Sequence, residues 1–348
     1  MKITKSVASS PRGEIAIYTL TNANGASVEL SALGAGINSV VVADKDGNME
    51  NVALGYANAA DYISDGPCMG KIPGRYANRI AAGKFTLDGV DYQLEINNGP
   101  NALHGGSEGF FNKIWDSETT ENGVVFSLVS PDGEAGYPGT LNVTAEYSWN
   151  DDCELRLEIK ATTDKKTVIN LTNHAYFNLR GEGSGTVLDQ TLKLNCSKYL
   201  VTDENLTPTG EIAPVEGTPM DFTTAKTLGE DIRKPFPALA YGKGYDNCYV
   251  IDGHKAGEMA LAAVLEDEVS GRVLEVLTTQ PAVQIYTGNW LSGCPATKSG
   301  NRTYFDYDGV AIECQGMPDA PNHDNFPSQV LDKDEQYAQT IVFHFTTK

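Results

Sequence analysis

Three segments with strand-like alternation carry an unusual set of side chains on their polar side. An exposed sheet face usually shows Lys, Glu and Thr, whereas these faces show His, Asn, Gln, Glu and Tyr. The segments are Asn170–Leu179 with His174 and Tyr176, Val283–Tyr286 with Gln284 and Tyr286, and Val310–Gln315 with Glu313 and Gln315. Such side chains hold a neutral polyol through directional hydrogen bonds and ring contacts. For any one segment an ordinary solvated face stays the alternative, but the three together favour a shared binding surface.

Two glycine-containing segments are candidates for the same surface. The stretch Gly70–Ile80 places Arg75 and Arg79 among small residues, where the backbone can come close to a ligand. In Asn101–Gly106 a histidine, His104, precedes two glycines, so neighbouring side chains would not crowd its ring. Taken alone, this second motif is equally consistent with a tight turn.

The remaining reactive residue types point to no second kind of chemistry. A metal site built from His104, His174 and Glu313 lacks any short ligand spacing such as HxH or HExxH, so no metal ion is expected. Alternation places Cys314, beside Glu313, on the apolar side of its strand, which predicts a core residue and not a nucleophile. Three further histidines are predicted to lie at the surface: His254, His323 and His344.

Charge and composition exclude several classes of partner. The 348 residues include 26 Lys and Arg against 46 Asp and Glu, a net charge of −20 at pH 7. A field of that sign repels phosphate backbones and anionic lipid headgroups. The longest wholly apolar run, Met259–Leu265, is far too short to span a bilayer. Nucleic-acid and membrane partners are therefore not expected.

The spacing of the cysteines indicates in which cellular compartment the protein is expected. Six cysteines are scattered along the chain without metal-binding or redox spacing, which favours small buried hydrophobic residues in a reducing environment over a disulfide framework. The first residues show no hydrophobic signal segment. We therefore expect a cytoplasmic protein, with a periplasmic or secreted one open if a signal peptide has been removed. Monomer and homodimer are both compatible with the sequence.

Period-two alternation dominates the chain and predicts β-strands. Residues 141–149 and 155–161 each place every apolar residue on one face, and Asn150–Asp152 between them is suited to a hairpin loop. Asx-Gly pairs, which accept the positive φ of tight turns, recur along the chain.

Helical periodicity is scarce. It is limited to Gly55–Tyr62 and 224–232, both too short to cover a parallel sheet. No repeat or polar linker marks a domain boundary. We therefore predict one all-β domain over residues 1–348, a large antiparallel β-sandwich with few short helices.

Six motifs in order resemble the aldose 1-epimerase family, the galactose mutarotases. They are Gly-Arg-Tyr-Ala-Asn-Arg-Ile (74–80), Asn-Ala-Leu-His-Gly-Gly (101–106), Leu-Thr-Asn-His-Ala-Tyr-Phe-Asn-Leu (171–179), Gln-Pro-Ala-Val-Gln-Ile-Tyr-Thr-Gly-Asn (280–289), Ile-Glu-Cys-Gln (312–315), and Pro-Asp-Ala-Pro-Asn (318–322) followed by Asn-Phe-Pro (325–327). The resemblance implies a fold of two large antiparallel sheets, a supersandwich, with a monosaccharide bound on a sheet face. It also implies interconversion of the α and β anomers of free aldohexoses without a metal or cofactor.

The resemblance further implies roles for individual residues. Glu313 matches the general base and His174 the general acid, while five residues match substrate-binding positions: Asn78, Arg79, His104, Asp246 and Gln284. Arg75 is a rival to Arg79, but the Asn-Arg-Ile context favours Arg79. The segment around Asp246 fits the family pattern only loosely.

Acid–base chemistry explains these residue types. An imidazole with a pKa of about 6.5 is suited to the acid role, and a nearby carboxylate, Asp246 or Glu313, would keep His174 protonated. Tyr176 or Tyr286 would stack on a single sugar ring, although core packing is an alternative for both. The three tryptophans are too few to suggest a platform for long glycans.

Two other functions compete with this one. The first is a non-catalytic sugar-binding module. The second is a hexose-phosphate 1-epimerase, whose phosphorylated substrate would call for an additional Arg or Lys cluster.

Overall fold

Strands make up most of the ordered structure. The computed structural model describes all residues from 1 to 348. In chain order the strands are β1 Lys2–Ser10, β2 Gly13–Thr21, β3 Ser27–Ser31, β4 Gly36–Ala43, β5 Met49–Asn51, β6 Arg79–Ile80, β7 Lys84–Leu87, β8 Val90–Gln93, β9 Ala102–Leu103, β10 Asp116–Thr119, β11 Gly123–Ser130, β12 Leu141–Trp149, β13 Glu154–Thr163, β14 Thr167–Val168, β15 Tyr176–Phe177, β16 Thr191–Leu194, β17 Lys198–Thr202, β18 Pro208–Pro214, β19 Lys226–Thr227, β20 Asp246–Val250, β21 Ala260–Glu266, β22 Arg272–Thr278, β23 Ala282–Tyr286, β24 Val310–Gln315, β25 Val330–Leu331 and β26 Tyr337–Thr347.

Three antiparallel sheets carry the architecture. A nine-stranded sheet runs in the order β10-β11-β12-β13-β26-β22-β21-β16-β19, a six-stranded sheet in the order β15-β24-β23-β20-β17-β18, and a five-stranded sheet in the order β1 to β5. Three two-stranded pairs complete the set, β14 with β25, β6 with β9 and β7 with β8. The predicted all-β antiparallel sandwich is confirmed.

One face of the nine-stranded sheet packs against both other sheets. Phe177 of β15 lies with its ring centroid 5.2 Å from that of Phe343 in β26, and Tyr18 of β2 lies 6.1 Å from Phe126 in β11. These rings belong to one cluster of 71 buried apolar residues. Burial of that apolar area is the main favourable term for the fold.

The hairpin of β12 and β13 forms as alternation predicts. Burial along β12 alternates residue by residue, and Trp149 pairs with Leu155 across the loop. The side chain of Asn150 organises that loop, because its Oδ1 accepts the N–H of Asp152 at 3.0 Å and of Glu154 at 2.9 Å. An Asn that bonds the backbone two residues ahead stabilises a turn.

The helices differ from the prediction. The segment 55–62 forms only one 3₁₀ turn, Ala59–Tyr62, and in 224–232 the strand β19 is followed by the short helix α1, Leu228–Asp231. A second helix, α2 Pro237–Gly242, was not predicted. None of the helices combines the length and apolar character needed to cross a bilayer. Four further 3₁₀ turns are Ala81–Gly83, Phe110–Asn112, Glu134–Gly136 and Ala320–Asn322.

Candidate active site

Glu313 lies in an interior strand of the six-stranded sheet. Every residue of its strand, β24, is buried, so the alternation seen in the sequence separates two buried faces. Gln284 of β23 is the direct antiparallel partner of Glu313. Residues opposite each other in such a pair point to the same face. The sheet therefore presents a carboxyl and an amide side by side.

The segment that carries His174 is not the continuous strand that alternation predicts. Within it only β15 forms a strand, which pairs with β24, while residues 171–175 are irregular. The amide of Asn173 is the physical reason, since its Oδ1 accepts the N–H of Ala175 at 2.9 Å and its Nδ2 donates to the carbonyl of Gly70 at 2.7 Å. An Asn that bonds the backbone locally competes with the sheet ladder.

Backbone hydrogen bonds on both sides position His174. Its N–H donates to the carbonyl of Lys71 at 2.9 Å, and its own carbonyl accepts the N–H of Gly70 at 3.0 Å. The segment that supplies these groups is itself anchored, because the buried ammonium of Lys71 pairs with Asp65 and donates to the carbonyl of Tyr62 at 2.5 Å. The imidazole is thereby held over the sheet without belonging to it.

His174 and Glu313 form the central pair of the site. Nε2 of His174 is 3.5 Å from Oε1 of Glu313, and the two side chains are 6% and 2% exposed. Burial raises the pKa of Glu313 well above its ordinary range, with the charge of Asp246 adding to the effect. Burial also lowers the pKa of His174 to about 4, with the Lys71 ammonium adding to it. The prediction that a nearby carboxylate keeps His174 protonated is wrong, because burial lowers the pKa of His174 below its ordinary value. Burial thus disfavours the charged form of both groups, the Glu313 carboxylate and the His174 imidazolium.

Asn78 and His104 form a mutually bonded corner beside this pair. The pairing of β6 with β9 brings them together, so that the N–H of His104 donates to the carbonyl of Asn78 and the N–H of Asn78 donates to Nδ1 of His104, both at 3.1 Å. Because Nδ1 accepts, the ring hydrogen of neutral His104 lies on Nε2. Burial, with His174 and Arg79 adding to it, holds the pKa of His104 well below its ordinary value. His104 is therefore a neutral hydrogen-bond donor.

Asp246 is oriented by two neighbours. Its Oδ1 accepts Nε2–H of Gln284 at 2.6 Å, and its Oδ2 is 3.4 Å from a terminal nitrogen of Arg79. Arg79 is further fixed by donating from Nε to Oδ1 of Asn98 at 3.1 Å. Asp246 begins β20, the short strand beside β23, in the position expected from the sequence. A carboxylate and a guanidinium thus stand next to the central pair.

These side chains surround one cavity of about 500 Å³, a volume typical of a small-molecule site. Six of the seven predicted site residues line it: Asn78, Arg79, His104, His174, Asp246 and Glu313. Gln284 does not line the cavity and acts on it through Asp246. Tyr176 and Tyr286 also line it, with ring centroids 4.9 Å and 6.3 Å from that of His174.

Arg75 is excluded from the cavity. Its buried guanidinium donates to the carbonyls of Pro138 and Gly139 at 2.7 and 2.8 Å and to Oγ of Ser130 at 2.7 Å. These hydrogen bonds give the buried Arg75 guanidinium a structural role, since it links its own loop to Ser130 and to the loop of Pro138 and Gly139. Arg79 is thus the arginine that faces the cavity, as the Asn-Arg-Ile context suggests.

The three histidines predicted at the surface lie outside the cavity but are only partly exposed. Each has a specific polar partner, which the sequence did not indicate. The pairs are His254 Nε2 with the Thr279 carbonyl at 3.0 Å, His323 Nε2 with Asp319 Oδ2 at 3.2 Å, and His344 Nδ1 with Glu275 Oε2 at 3.1 Å. Cys314 is fully buried on the apolar side, as predicted.

Sequence reasoning missed the rim of the cavity. The rim consists of Gly66, Pro67, Asn98, Gly99, Pro100, Glu204, Asn205, Leu206 and Trp290. Most of these residues lie in loops, which show no periodicity. Trp290 is 59% exposed, whereas Trp115 and Trp149 are core residues. Its place four residues after Tyr286 was the one signal that could have identified it.

Comparison with known proteins agrees with the family resemblance of the sequence motifs. A family model described as Aldose 1-epimerase matches residues 16–344. Galactose mutarotase of Sus scrofa is 42% identical over 319 residues, or 92% of this chain and 91% of that protein, and aldose 1-epimerase of Escherichia coli (strain K12) is 35% identical over 332 residues, or 94% of each. The crystal structure of galactose 1-epimerase from Lactobacillus acidophilus superposes with a TM-score of 0.86 at 28% identity, covering 100% of this chain and 99% of that one.

The fold and the cavity define a β-sandwich isomerase with a buried carboxyl–imidazole pair. The chain belongs to the aldose 1-epimerase family, whose members interconvert the anomers of free sugars.

Proposed function

We propose that this protein interconverts the α and β anomers of free aldohexoses such as galactose and glucose, with Glu313 as general base and His174 as general acid. The observation that carries the proposal is the 3.5 Å separation of these two side chains inside the 500 Å³ cavity. The names of the relatives, galactose mutarotase and aldose 1-epimerase, support the choice of substrate.

Ring opening needs two proton transfers. The Glu313 carboxylate removes the proton of the C1 hydroxyl, the electron pair on that oxygen forms the C1 carbonyl, and the bond from C1 to the ring oxygen breaks. The ring oxygen takes the proton of His174 Nε2. Rotation about the C1–C2 bond presents the other carbonyl face, and the two groups then reverse their roles as the ring closes. Each positioned group of this kind contributes roughly 10²–10⁴-fold to the rate.

The favoured protonation of the pair matches one stage of this sequence. After ring opening Glu313 holds a proton and His174 is neutral, the state that burial favours. The state needed for the cyclic sugar, a Glu313 carboxylate with a His174 imidazolium, has the same number of protons. It arises when one proton moves from Glu313 to His174, so the two states differ in charge separation and not in net charge.

Neighbouring groups orient the sugar. Arg79 and the Nε2–H of His104 are donors for sugar oxygens and for charge that develops on the ring oxygen. Asp246, held by Gln284, accepts from sugar hydroxyls, and Asn78 keeps the tautomer of His104. Tyr176 or Tyr286 offers a ring face for the apolar side of the pyranose.

The charge of the lining argues against a phosphorylated substrate. Arg79 is the one Arg or Lys that lines the cavity, whereas Glu204, Asp246 and Glu313 contribute carboxyl groups. A phosphoryl group needs a cluster of cations. A binding module without turnover would have no use for a matched acid and base.

Polarimetry tests the proposal. We expect the protein to accelerate the change in optical rotation of freshly dissolved α-D-galactose and α-D-glucose, and to act weakly on glucose 6-phosphate. Absence of acceleration with every free aldose would contradict the proposal. Stronger acceleration of glucose 6-phosphate than of the free sugars would favour a hexose-phosphate 1-epimerase instead.

We also propose a reducing compartment, the cytoplasm, as the place of action. All six cysteines are free thiols and four of them are buried, as is usual for proteins kept under reducing conditions. Location of a tagged full-length chain in fractionated source cells would test this.

A further inference from the structure

Asp319 closes the free edge of the strand that carries Arg79. Strand β6 has only two residues, and its pairing with β9 uses one of its edges. On the other edge the N–H of Asp319 donates to the carbonyl of Arg79 at 3.0 Å, and Oδ1 of Asp319 accepts the N–H of Ala81 at 3.0 Å. Peptide groups of alternate residues in a strand point to opposite edges. Asp319 therefore bonds the two groups that β9 does not reach and takes the place of a neighbouring strand.

Asp319 is itself fixed by the motif that contains it, residues 318–322. Its side chain is 2% exposed, and Oδ1 also accepts Nδ2–H of Asn322 at 2.6 Å. The next residue, Ala320, donates its N–H to the hydroxyl of Tyr76 at 3.1 Å. Asp319 has a φ of +57°, a left-handed conformation that Asp and Asn adopt more readily than most residues. An acidic residue thus suits both the turn and the contact with β6.

The same turn follows the strand of the candidate base. Asp319 comes only six positions after Glu313, whereas Arg79 reaches the cavity from a distant part of the chain. The contacts of the Arg79 guanidinium with Asn98 and Asp246 hold only the tip of that side chain. The contact with Asp319 holds its backbone. Both ends of Arg79 are therefore fixed relative to Glu313.

We propose that Asp319 is a positioning residue, which holds the backbone of Arg79 so that the guanidinium meets the sugar oxygens in the orientation needed for ring opening. This inference rests on the proposed function, in which Arg79 donates to the sugar. Asp319 does not line the cavity and acts only through Arg79. Preorganised donors act by their fixed orientation, and a misplacement of about 1 Å can cost on the order of 10²-fold in rate.

Polarimetry of α-D-galactose with variants of Asp319 tests the proposal. Asp319→Gly removes the carboxylate and still adopts a positive φ freely, and its kcat/KM should be about tenfold lower than that of the wild type. Asp319→Asn keeps an oxygen for the N–H of Ala81 and should stay within about twofold. The control is Asp267→Gly, because Asp267 is an equally buried carboxylate that accepts a backbone N–H, from Ser270 at 2.9 Å, and pairs with Arg180 outside the cavity. That control should leave kcat/KM unchanged.

A double-variant cycle separates positioning from a general loss of structure. Arg79→Met keeps an unbranched side chain and removes the guanidinium that Asp319 positions. Adding Asp319→Gly to Arg79→Met should lower kcat/KM by less than about twofold, because both changes then act on one interaction. A tenfold loss from Asp319→Gly in both backgrounds would overturn the proposal.

Nuclear magnetic resonance of arginine-labelled protein gives a readout that does not depend on turnover. The Nε–H of Arg79 donates to Asn98 at 3.1 Å, so its resonance reports how the side chain is held, and its loss in Arg79→Met assigns it. Asp319→Gly should shift or broaden this signal, whereas Asp319→Asn should leave it close to its wild-type position. Asp267→Gly should instead alter the signal of Arg180, whose Nε–H donates to Asp267 at 3.2 Å.

The outcomes keep the two proposals apart. An Arg79 signal that Asp319→Gly leaves unchanged would overturn the positioning role, whatever the rates. No acceleration of any free aldose by the wild type would overturn the proposed function, and the Arg79 signal would then decide the positioning role by itself. If Asp319→Gly does not fold, Asn322→Ala takes its place, because Asn322 is exposed and its amide holds Asp319. An Arg79 signal unchanged by Asn322→Ala would likewise contradict the proposal.

Discussion

Two pairs of a glutamate and a histidine stand at similar separations in different parts of this molecule. Glu313 and His174 are 3.5 Å apart in the cavity, and Glu275 and His344 are 3.1 Å apart on the nine-stranded sheet. The side chains of Glu313 and His174 are 2% and 6% exposed, whereas those of Glu275 and His344 are 41% and 24% exposed. Separation alone therefore does not distinguish a candidate catalyst from an ordinary surface contact.

The difference lies in what surrounds each pair. Glu275 and His344 face each other directly across β22 and β26, and both side chains are open to water. Glu313 and His174 come from different kinds of segment, and desolvation pushes their pKa values in opposite directions from the ordinary values. Paired titratable groups whose pKa values are driven by burial mark functional sites more often than exposed ion pairs do.

Replacing the two glutamates gives the largest contrast. Glu313→Gln should lower kcat for mutarotation roughly 10³-fold, because the amide cannot accept the C1 hydroxyl proton. Glu275→Gln, the matched control, should stay within twofold of the wild type. Both are measured by polarimetry, with circular dichroism to check the fold. A folded Glu313→Gln variant with near-normal rates would remove Glu313 from the base role.

Replacing the two histidines should give the next largest contrast. His174→Gln keeps a polar group near the position of Nε2 but cannot transfer a proton, so kcat should fall roughly 10²-fold. His344→Gln should leave kcat unchanged. Similar rates in the two variants would show that His174 is not the acid.

The pH profile sharpens the comparison further. The active pair holds one proton in total, so kcat/KM should be level over the pH range between the pKa values of the two groups. It should fall below about pH 4, where the pair gains a second proton on His174, and fall again well above the ordinary pKa of a glutamate, where Glu313 loses its proton. The double variant Glu275→Gln/His344→Gln should keep this profile. An acid limb near pH 6.5 would instead indicate an imidazole that behaves as it does in water.

Thermal stability should show the smallest effect. Burial raises the pKa of Glu313 above its ordinary value of 4.5, so its stability contribution is complete below that pH and is lost as the pH rises towards the folded-state pKa. Glu313→Gln should therefore melt about 2 °C higher than the wild type at pH 8, with less difference near pH 5. Calorimetry checks this. A pH-independent difference, or an equal one in Glu275→Gln, would contradict it.

The sequence predicted the sheets well because their physical cause is local. Alternation in β12 reflects which side of the strand is buried, whereas in β23 and β24 it separates a polar face from an apolar one. It correctly put Gln284 and Glu313 on the polar faces and Cys314 on the apolar one. The family motifs predicted six residues that do line one cavity. Assignment of Arg79 over Arg75 also depended on local context alone.

What the sequence did not predict depends on contacts between distant segments. The irregular backbone before Tyr176 arises because the amide of Asn173 finds the carbonyl of Gly70, far away in the chain. The low pKa of His174 results from its burial among segments that are distant in the chain, so the sequence around His174 did not indicate it. The Lys243 ammonium lies 4.5 Å from the ring centroid of Trp290, a contact that the linear order does not reveal.

The pairing of β15 with β24 has a consequence for how the protein is made. It joins segments so far apart in the chain that Glu313 follows His174 by 139 positions. Contacts of such high order are slow to close during folding. In refolding from denaturant, recovery of turnover should therefore lag behind recovery of strand content. The catalysed reaction would then report when this long-range pairing has formed.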